Sequence, residues 1–293
     1  MTDIHPAPTV KPENAFLLAD GVHVIPDQGV PLVPNIGLIE GREAVLVVDC
    51  GMGPANGATV FDWAQGLARE RRILLALSHF HPEHAFGAQA FAGRAEIIVN
   101  TLQAEEAHDK AAAYLEMFKG FGPEVAAALE RTVLTAPTQT YSNRLEIDLG
   151  GRVVTLQEVG PAHTRGDQII WLENERILFA GDLAEEGMFP IFPWFPGQDT
   201  DLDGQRWQEV LTALEARGRM TLVPGHGRIS DQGLLAVLAG YMQDMQGLCA
   251  DPATELDIPA IERHFTGRHP DWQGKEWIGF AARHYKDVAR SRP

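Results

Sequence analysis

The chain has 293 residues, of which 45% are hydrophobic and 22% are charged. This composition is ordinary for a folded globular protein and excludes a disordered or fibrous chain. Asp and Glu outnumber Lys and Arg by 40 to 24, which gives a formal net charge of −16. Because such a surface repels phosphate groups, we expect neither a nucleic acid nor an anionic membrane as a partner.

Other features of the sequence indicate the compartment. Two cysteines, Cys50 and Cys249, are too few for a disulfide framework. Residues 1–12 lack the basic and apolar segments of a signal peptide. Membrane spans need about 18 or more apolar residues in a row, and the sequence has no such run. We therefore expect a cytoplasmic protein.

Apolar patterning predicts an α/β protein. Residues 43–49 and 73–77 are almost entirely apolar, which is typical of buried strands, and residues 176–179 form a further strand-like segment. Apolar residues recur at helical spacing over residues 59–71, where we expect a helix.

We predict three parts of one compact unit. Residues 1–20 form an N-terminal arm, and residues 21–230 form a domain with a sheet-rich core and helices outside it. Residues 231–293 are helical in pattern and form a C-terminal extension packed on the same domain.

Three histidines directly follow the strand predicted over residues 73–77, in the segment His79-Phe-His81-Pro-Glu83-His84. Side chains two positions apart on an extended segment point the same way, so His79 and His81 can hold one metal ion. Pro82 suits the first turn of a helix, which reverses the chain. That reversal turns Glu83 and His84 toward a second position close to the first.

Three further polar residues, His163, Asp182 and His226, each follow a strand and stand near a glycine. Strand ends at one edge of a sheet converge, and glycine allows the backbone to approach a metal closely. A single loop histidine is more often a surface residue than a ligand. The combination of all six residues nevertheless favours a metal site.

These residues resemble the pattern of the metallo-β-lactamase superfamily, a set of hydrolases that includes glyoxalase II and lactonases. The shared pattern is His-x-His-x-acid-His, then a distant His, an Asp and a final His, over about residues 20–230. The segment 77–87 is similar to quinoprotein-relay metallohydrolases. The resemblance implies a four-layer αββα sandwich with a two-metal site at one edge.

The resemblance also implies a role for each residue. Asp182 would bridge two metal ions. The other ligands of metal 1 would be His79, His81 and His163. The other ligands of metal 2 would be Glu83, His84 and His226. Asp49, at a strand end, would orient a ligand histidine; the alternative is an ordinary turn residue.

The sequence departs from the family pattern at two positions. Glu83 stands where the family usually has Asp, and one extra methylene moves a carboxylate by about an ångström, although metal–oxygen distances vary by only tenths. We expect Glu83 to contact metal 2 or its water, with that ion slightly displaced. Asp182 stands where the antibiotic-hydrolysing members usually carry Cys or Ser, which argues against that activity.

The ligand types suit two Zn²⁺ ions per chain, and they also suit iron or manganese. Two ions about 3.5–4 Å apart make a bridging water acidic enough to be hydroxide near neutral pH. Glu83 or Asp182 could then relay a proton to the leaving group. We therefore predict a dinuclear zinc hydrolase that acts on an ester, lactone, thioester or amide of an apolar small molecule.

Two other functions remain open at this point. The first is a mononuclear iron oxygenase, as in the sulfur dioxygenases that share the fold, although the full ligand set favours two metals. The second is a degenerate metal-binding scaffold, for which the Glu83 departure is the only support.

The segment 188–196 combines large apolar residues with three prolines, which predicts a stiff loop close to Asp182. We expect Phe189, Phe192 and Trp194 to line an apolar substrate pocket. The alternative is that the loop packs under the C-terminal helices or forms a homodimer contact.

Overall fold

A computed structural model describes residues 7–291. Two sheets form its centre, and in each sheet every strand is hydrogen-bonded to the next one along the chain. The first sheet contains β1 (Phe16–Ala19), β2 (Val22–Ile25), β3 (Ile36–Glu40), β4 (Ala44–Val48), β5 (Arg72–Ala76), β6 (Glu96–Asn100) and β7 (Gln139–Tyr141). The second contains β8 (Arg144–Asp148), β9 (Val153–Glu158), β10 (Gln168–Leu172), β11 (Ile177–Glu185), β12 (Thr221–His226) and β13 (Ser230–Asp231).

Helices cover the outer faces of both sheets. On the side of the first sheet lie α1 (Gly53–Ala68), the short α2 (Pro82–Ala85), α3 (Thr101–Lys119) and α4 (Pro123–Leu129). On the side of the second sheet lie α5 (Gly204–Glu215), α6 (Gln232–Cys249), α7 (Ile258–Arg268) and α8 (Glu276–Ser291). The structure therefore confirms the four-layer αββα architecture and the helical C-terminal region.

Strand β4 shows why the centre of the sandwich is so apolar in sequence. Successive side chains of a strand point to opposite faces. Leu46 belongs to the core between the two sheets, together with Phe179 of β11, whereas Val45 and Val47 belong to the core that the first sheet shares with α1. Because both faces of β4 are covered, every one of its residues is buried, which confirms the strand predicted over residues 43–49.

Two predicted elements are longer in the structure. Helix α1 begins at Gly53 rather than residue 59, because Pro54 in its first turn has a fixed φ that suits a helix start. Strand β11 continues from Phe179 to Glu185, although its register against β12 shifts twice, at Gly181 and before Glu185. Such irregularities re-aim side chains and often lie beside active sites.

The two ends of the chain differ in how they join the fold. Of the arm predicted over residues 1–20, residues 1–6 lie outside the described part, and residues Phe16–Ala19 form the edge strand β1. Helices α6, α7 and α8 share one hydrophobic core with the second sheet.

Within residues 7–291, no helix has both the length and the apolar character that a membrane span needs. Cys50 and Cys249 are buried and free.

Candidate metal centre and active site

All six strand-end residues and Glu83 meet at one edge of the sandwich. His79 and His81 follow β5, Glu83 and His84 lie in α2, and His163 precedes β10. Asp182 lies in β11 and His226 ends β12. The structure thus brings together all seven predicted metal ligands, which form two clusters that share Asp182.

The imidazole cluster consists of His79, His81, His163 and Asp182, each offering one atom within 4.8 Å of the others. The Nε2 atoms of His79 and His163 lie 3.8 and 3.9 Å from Asp182 Oδ2. His163 Nε2 lies 3.2 Å from His81 Nδ1. Ligand atoms around a tetrahedral Zn²⁺ are ~3.3 Å apart, given metal–ligand bonds of about 2.0 Å. These separations therefore suit one metal ion.

The mixed cluster consists of Glu83, His84, Asp182 and His226, again within 4.8 Å of one another. His84 Nε2 lies 3.2 Å from Asp182 Oδ1, and His226 Nε2 lies 3.8 Å from Asp182 Oδ2. The extra methylene of Glu83 has not removed its carboxylate from the group. Asp182 is consequently placed to contact an ion in either cluster.

The polar atoms of both clusters are deeply buried and lack hydrogen-bond partners among the described residues. These atoms include His79 Nε2, His84 Nε2, Glu83 Oε2 and both carboxylate oxygens of Asp182. Leaving such atoms unpaired costs free energy, so native proteins rarely do so without a bound ion or water. This pattern, together with the imidazole and carboxylate donors, fits divalent metal ions.

The pKa values in the imidazole cluster favour metal-binding protonation states. Burial holds the pKa of His79 and His81 well below 6.5 and lowers that of His163 to about 4. Burial alone would raise the pKa of Asp182, but the nearby His84 and His226 outweigh it and lower that pKa well below its usual range. The three histidines are therefore neutral and Asp182 is ionised, as ligands must be.

The mixed cluster has a different proton balance. Burial raises the pKa of Glu83 to about 7, although His84 partly opposes this. Burial also disfavours a charged His84, yet Asp182 and Asp49 more than compensate and raise its pKa well above 6.5. Protons and metal ions thus compete for this cluster near neutral pH.

Asp49 fixes the orientation of two of these histidines. Its Oδ2 accepts a hydrogen bond from His84 Nδ1 at 2.8 Å and another from Ser78 Oγ at 2.9 Å. The Ser78 hydroxyl in turn lies 3.1 Å from His79 Nδ1. Because a carboxylate can only accept, these bonds place the protons on both Nδ1 atoms and leave both Nε2 atoms free to bind metal.

Glycine and backbone contacts allow the final histidine loop to approach Asp182. A Cβ added to Gly225 would lie 1.8 Å from Asp182 Oδ1, so no larger residue fits there. Asn35 Nδ2 donates to the carbonyl oxygens of Pro224 and Gly227, both at 2.9 Å. The loop that carries His226 is therefore held against the first sheet.

A large cavity opens from the mixed cluster. Its volume is about 1330 Å³, and Glu83, Asp182 and His226 lie on its lining. Aromatic residues from four parts of the chain form much of the wall; they are Phe121, Trp194, Trp272, Trp277 and Phe280. Two of these parts, the segment after α7 and helix α8, come from the C-terminal region, which the sequence did not connect with the site.

The structure separates the three aromatic residues that were expected to line a pocket. Trp194 lines the cavity, with its ring stacked on Phe121 at 5.7 Å and edge-to-face with Trp277 at 5.1 Å. Phe189 and Phe192 are fully buried in the core shared with the C-terminal helices. The loop therefore combines both expectations, since it packs under those helices and also presents one tryptophan to the cavity.

Two residues near the clusters were not among the site residues predicted from the sequence. Ser78 directly precedes the first histidine, and its position at a strand end was the only signal available. Glu185 lies three residues after Asp182, is 2% exposed and lines the cavity. A second acidic residue at the end of a mostly apolar strand is unusual, and this was the signal that could have identified it.

Comparison with known proteins agrees with this geometry. The family model of the metallo-beta-lactamase superfamily matches residues 29–226, a range that contains both clusters. The chain belongs to this superfamily. A solved structure of a metallo-beta-lactamase from Pontibacter korlensis has the same fold, with a TM-score of 0.60 and 17% sequence identity. That likeness covers 78% of this chain and 98% of the other.

Curated superfamily members resemble the chain over different lengths. Acyl-coenzyme A thioesterase MBLAC2 of Bos taurus is 28% identical over 238 residues, which cover 75% of this chain and 82% of the relative. Metallo-beta-lactamase type 2 of Bacteroides fragilis is 26% identical over only 96 residues, which cover 32% of this chain and 37% of the relative. Superfamily membership and the thioesterase relatives support a hydrolase that acts on a small molecule.

Proposed function

We propose that the protein is a metal-dependent hydrolase of thioesters that carry an apolar acyl group. The observation that carries this proposal is the position of the mixed cluster on the lining of a large aromatic-walled cavity. A substrate held by the wall would present its carbonyl group to the clusters. The two clusters would hold one divalent ion each, with Asp182 as their common ligand.

The ions, when bound, would polarise the substrate carbonyl and make water more acidic. The protein's own residues would handle the proton. The attacking water forms the new C–O bond, the C–S bond breaks, and one proton passes from the water toward the thiol. Glu83 suits this transfer because its carboxylate lies in the mixed cluster and on the cavity lining, where the substrate would bind. Asp182 suits it less well because it would be the common ligand of both ions.

Two observations favour thioesters among the predicted carbonyl substrates. The similar curated proteins of cattle and human are named acyl-coenzyme A thioesterases. The cavity wall is rich in aromatic rings, which suit a long or bulky acyl group. Its charged lining is mostly acidic, because seven Asp and Glu residues stand against Arg228 and Arg268, and both arginines are already paired with carboxylates. We therefore base the substrate proposal on the acyl group rather than on the thiol.

The proposal is tested with a series of acyl-coenzyme A thioesters of increasing chain length, alongside matched oxygen esters, lactones and amides. We expect hydrolysis of thioesters, with kcat/KM rising with acyl length, and loss of activity after chelation that added Zn²⁺ or Mn²⁺ restores. Full activity after complete metal removal, or faster hydrolysis of every other class, would contradict the proposal.

Trp194 provides a sharper test of the cavity. We expect Trp194→Ala to raise KM for long-chain thioesters by about tenfold and to leave short-chain ones nearly unchanged, because the lost ring contact serves only the long acyl group. The control is Trp63→Ala, which removes a half-buried tryptophan of α1 that does not line the cavity. Equal effects on both chain lengths would show that Trp194 only supports the fold.

A further inference from the structure

One side of α3, which we call the α3 face, carries buried polar residues. Glu106, Lys110, Tyr114 and Phe118 follow one another at intervals of four residues, so they lie on the same side of the helix. All four are buried. Lysine and glutamate are seldom fully buried unless they are paired. The contacts of this face with other segments explain the burial.

The charged part of the α3 face connects two loops. Lys110 Nζ lies 2.8 Å from Glu106 Oε1 and 2.5 Å from Asp201 Oδ1. The other carboxylate oxygen of Glu106, Oε2, accepts a hydrogen bond from the backbone N–H of Gly166 at 3.0 Å. Gly166 lies in the loop that carries the candidate metal ligand His163. Lys110 and Glu106 thus join that loop to the one that contains Asp201.

Tyr114 makes two contacts of different kinds. Its ring stacks on the ring of His81, with the centroids 5.1 Å apart and the planes at 19°. Its hydroxyl donates to the carboxylate of Asp199, whose two oxygens both lie 2.6 Å away. Oδ2 of Asp199 also accepts the backbone N–H of Phe195 at 2.9 Å. Tyr114 therefore contacts a candidate metal ligand through its ring and the loop of Phe195 through its hydroxyl.

This loop is part of the aromatic segment, residues 189–201, which brings Trp194 to the cavity wall. The ring of Phe195 lies edge-to-face on that of Tyr114 at 5.1 Å. The ring of Trp194 lies 5.5 Å from that of Phe118. The aromatic segment contains no helix or strand, so its position depends on side-chain contacts such as these.

Stability alone does not explain the buried charges of the α3 face. Burying an ion pair costs desolvation free energy, and apolar residues of similar volume often stabilise a fold equally well. Hydrogen bonds add direction, because they weaken steeply away from their preferred geometry. The bonds to Asp199 and Asp201 therefore fix where the aromatic segment lies relative to the imidazole cluster.

We propose that Tyr114 is a positioning residue that sets acyl-chain specificity. Its hydroxyl acts through Asp199 to hold Trp194 against the acyl group, while its ring keeps the helix in register with His81. This inference deepens the proposed thioester hydrolysis and rests on it. Removing only the hydroxyl loosens the cavity wall and leaves the candidate metal ligands in place.

The kinetic test compares Tyr114→Phe with wild type on long-chain and short-chain thioesters. We expect KM for the long-chain substrate to rise about fivefold, with kcat, short-chain KM and the number of bound ions unchanged, because only the wall contact is loosened. In a Trp194→Ala background the same change should have no further effect on KM. The matched control is Tyr141→Phe, which removes a hydroxyl that donates to Gln168 at 2.6 Å, and neither residue lines the cavity.

Backbone hydrogen exchange tests the same contact without a substrate. Amides of residues 194–199 should exchange about tenfold faster in Tyr114→Phe than in wild type, because a loosened segment opens more often. Tyr141→Phe should leave them unchanged. Unchanged exchange in the Tyr114 variant, or an equal rise of KM for both chain lengths, would overturn the inference.

The outcomes distinguish this inference from the proposed function. Thioester hydrolysis by wild type, with Tyr114→Phe identical to it in KM, would overturn the inference alone. A wild-type protein that hydrolyses no thioester would contradict the function and, with it, the specificity role of Tyr114.

Discussion

The imidazole and mixed clusters share Asp182 but handle charge differently. The imidazole cluster contains three histidines whose pKa values are lowered by burial. The mixed cluster gathers Glu83 beside Asp182, and the pKa of Glu83 is raised to about 7. Neutral imidazoles accept a metal ion without losing a proton, whereas a protonated carboxyl group must first release one.

From this difference we predict different roles for the two clusters. A metal ion in the imidazole cluster displaces no proton, so we expect it to bind tightly and its affinity to change little with pH. Glu83, Asp182 and His226 of the mixed cluster lie on the cavity lining, where the substrate would bind, which suits this cluster to the proton steps of the proposed reaction. Variants that affect one cluster and not the other test this difference.

We expect the largest loss of metal binding and activity from a change at Asp182, which both clusters share. Asp182→Asn removes the carboxylate charge that both clusters share, so we expect weaker binding of both ions and a fall in kcat of about a thousandfold or more. Elemental analysis and steady-state kinetics measure the two effects. The control is Asp62→Asn on the exposed side of α1. Loss of only one ion would show that Asp182 serves a single cluster.

A smaller and more selective effect is expected at Glu83. Glu83→Gln preserves shape but removes the carboxylate charge, so we expect preferential loss of the second ion and a fall in turnover of about a hundredfold. Glu70→Gln, an exposed substitution after α1, is the matched control. If the Glu83 variant keeps both ions and nearly full activity, the residue is a bystander and proton transfer depends on Asp182.

Metal binding should depend on pH at one cluster only. The pKa of Glu83 is raised to about 7 and that of His84 well above 6.5, so a metal ion must displace protons from both groups; affinity for the second ion should rise with pH across the neutral range, by about tenfold per pH unit or more below pH 7. The lowered histidine pKa values predict a flat response for the first ion from about pH 6.5 to 8.5. Metal titrations across this range measure both responses, and Glu83→Gln should make the second response less steep without abolishing it, because His84 still titrates. Parallel slopes at both clusters would refute the distinction.

The smallest effect is expected at Ser78. Ser78→Ala breaks the link between Asp49 and His79 but leaves the direct bond from His84 to Asp49. We expect the first ion to bind a few times more weakly and the second to be unaffected, since a positioning contact contributes less than a ligand. Competition with a chelator measures this change, and Ser142→Ala is an exposed control. A stronger effect on the second ion would show that the hydroxyl acts through His84.

The fold and the convergence of the seven candidate ligands could be predicted because their signals are local. Buried strands such as β4 have almost no polar residues, which makes them recognisable. Side chains alternate in direction along an extended segment, so His79 and His81, two positions apart, point the same way. Glu83 was predicted to remain at the site despite its extra methylene, and the structure does place it in the mixed cluster. Its ligand role stays a prediction that metal binding must test.

Other features depend on contacts between distant parts of the chain. Phe189 and Phe192 have the same apolar character as Trp194, and only the packing of α5, α6 and α8 decides that they face the core. The C-terminal residues Trp277 and Phe280 reach the cavity because α8 packs back onto the domain. No local pattern encodes these positions.

The superfamily pattern, the layered α/β fold and the residues that could bind metal were readable from the sequence, because alternation and strand-end position act over a few residues. The choice of aromatic residues that line the cavity, and the place of Glu185 on the same lining as Glu83 and Asp182, depend on the tertiary structure. The register shifts between Phe179 and Glu185 arise from the pairing of β11 with β12. These strands are separated in sequence by α5, so the geometry appears only once the sheet has formed.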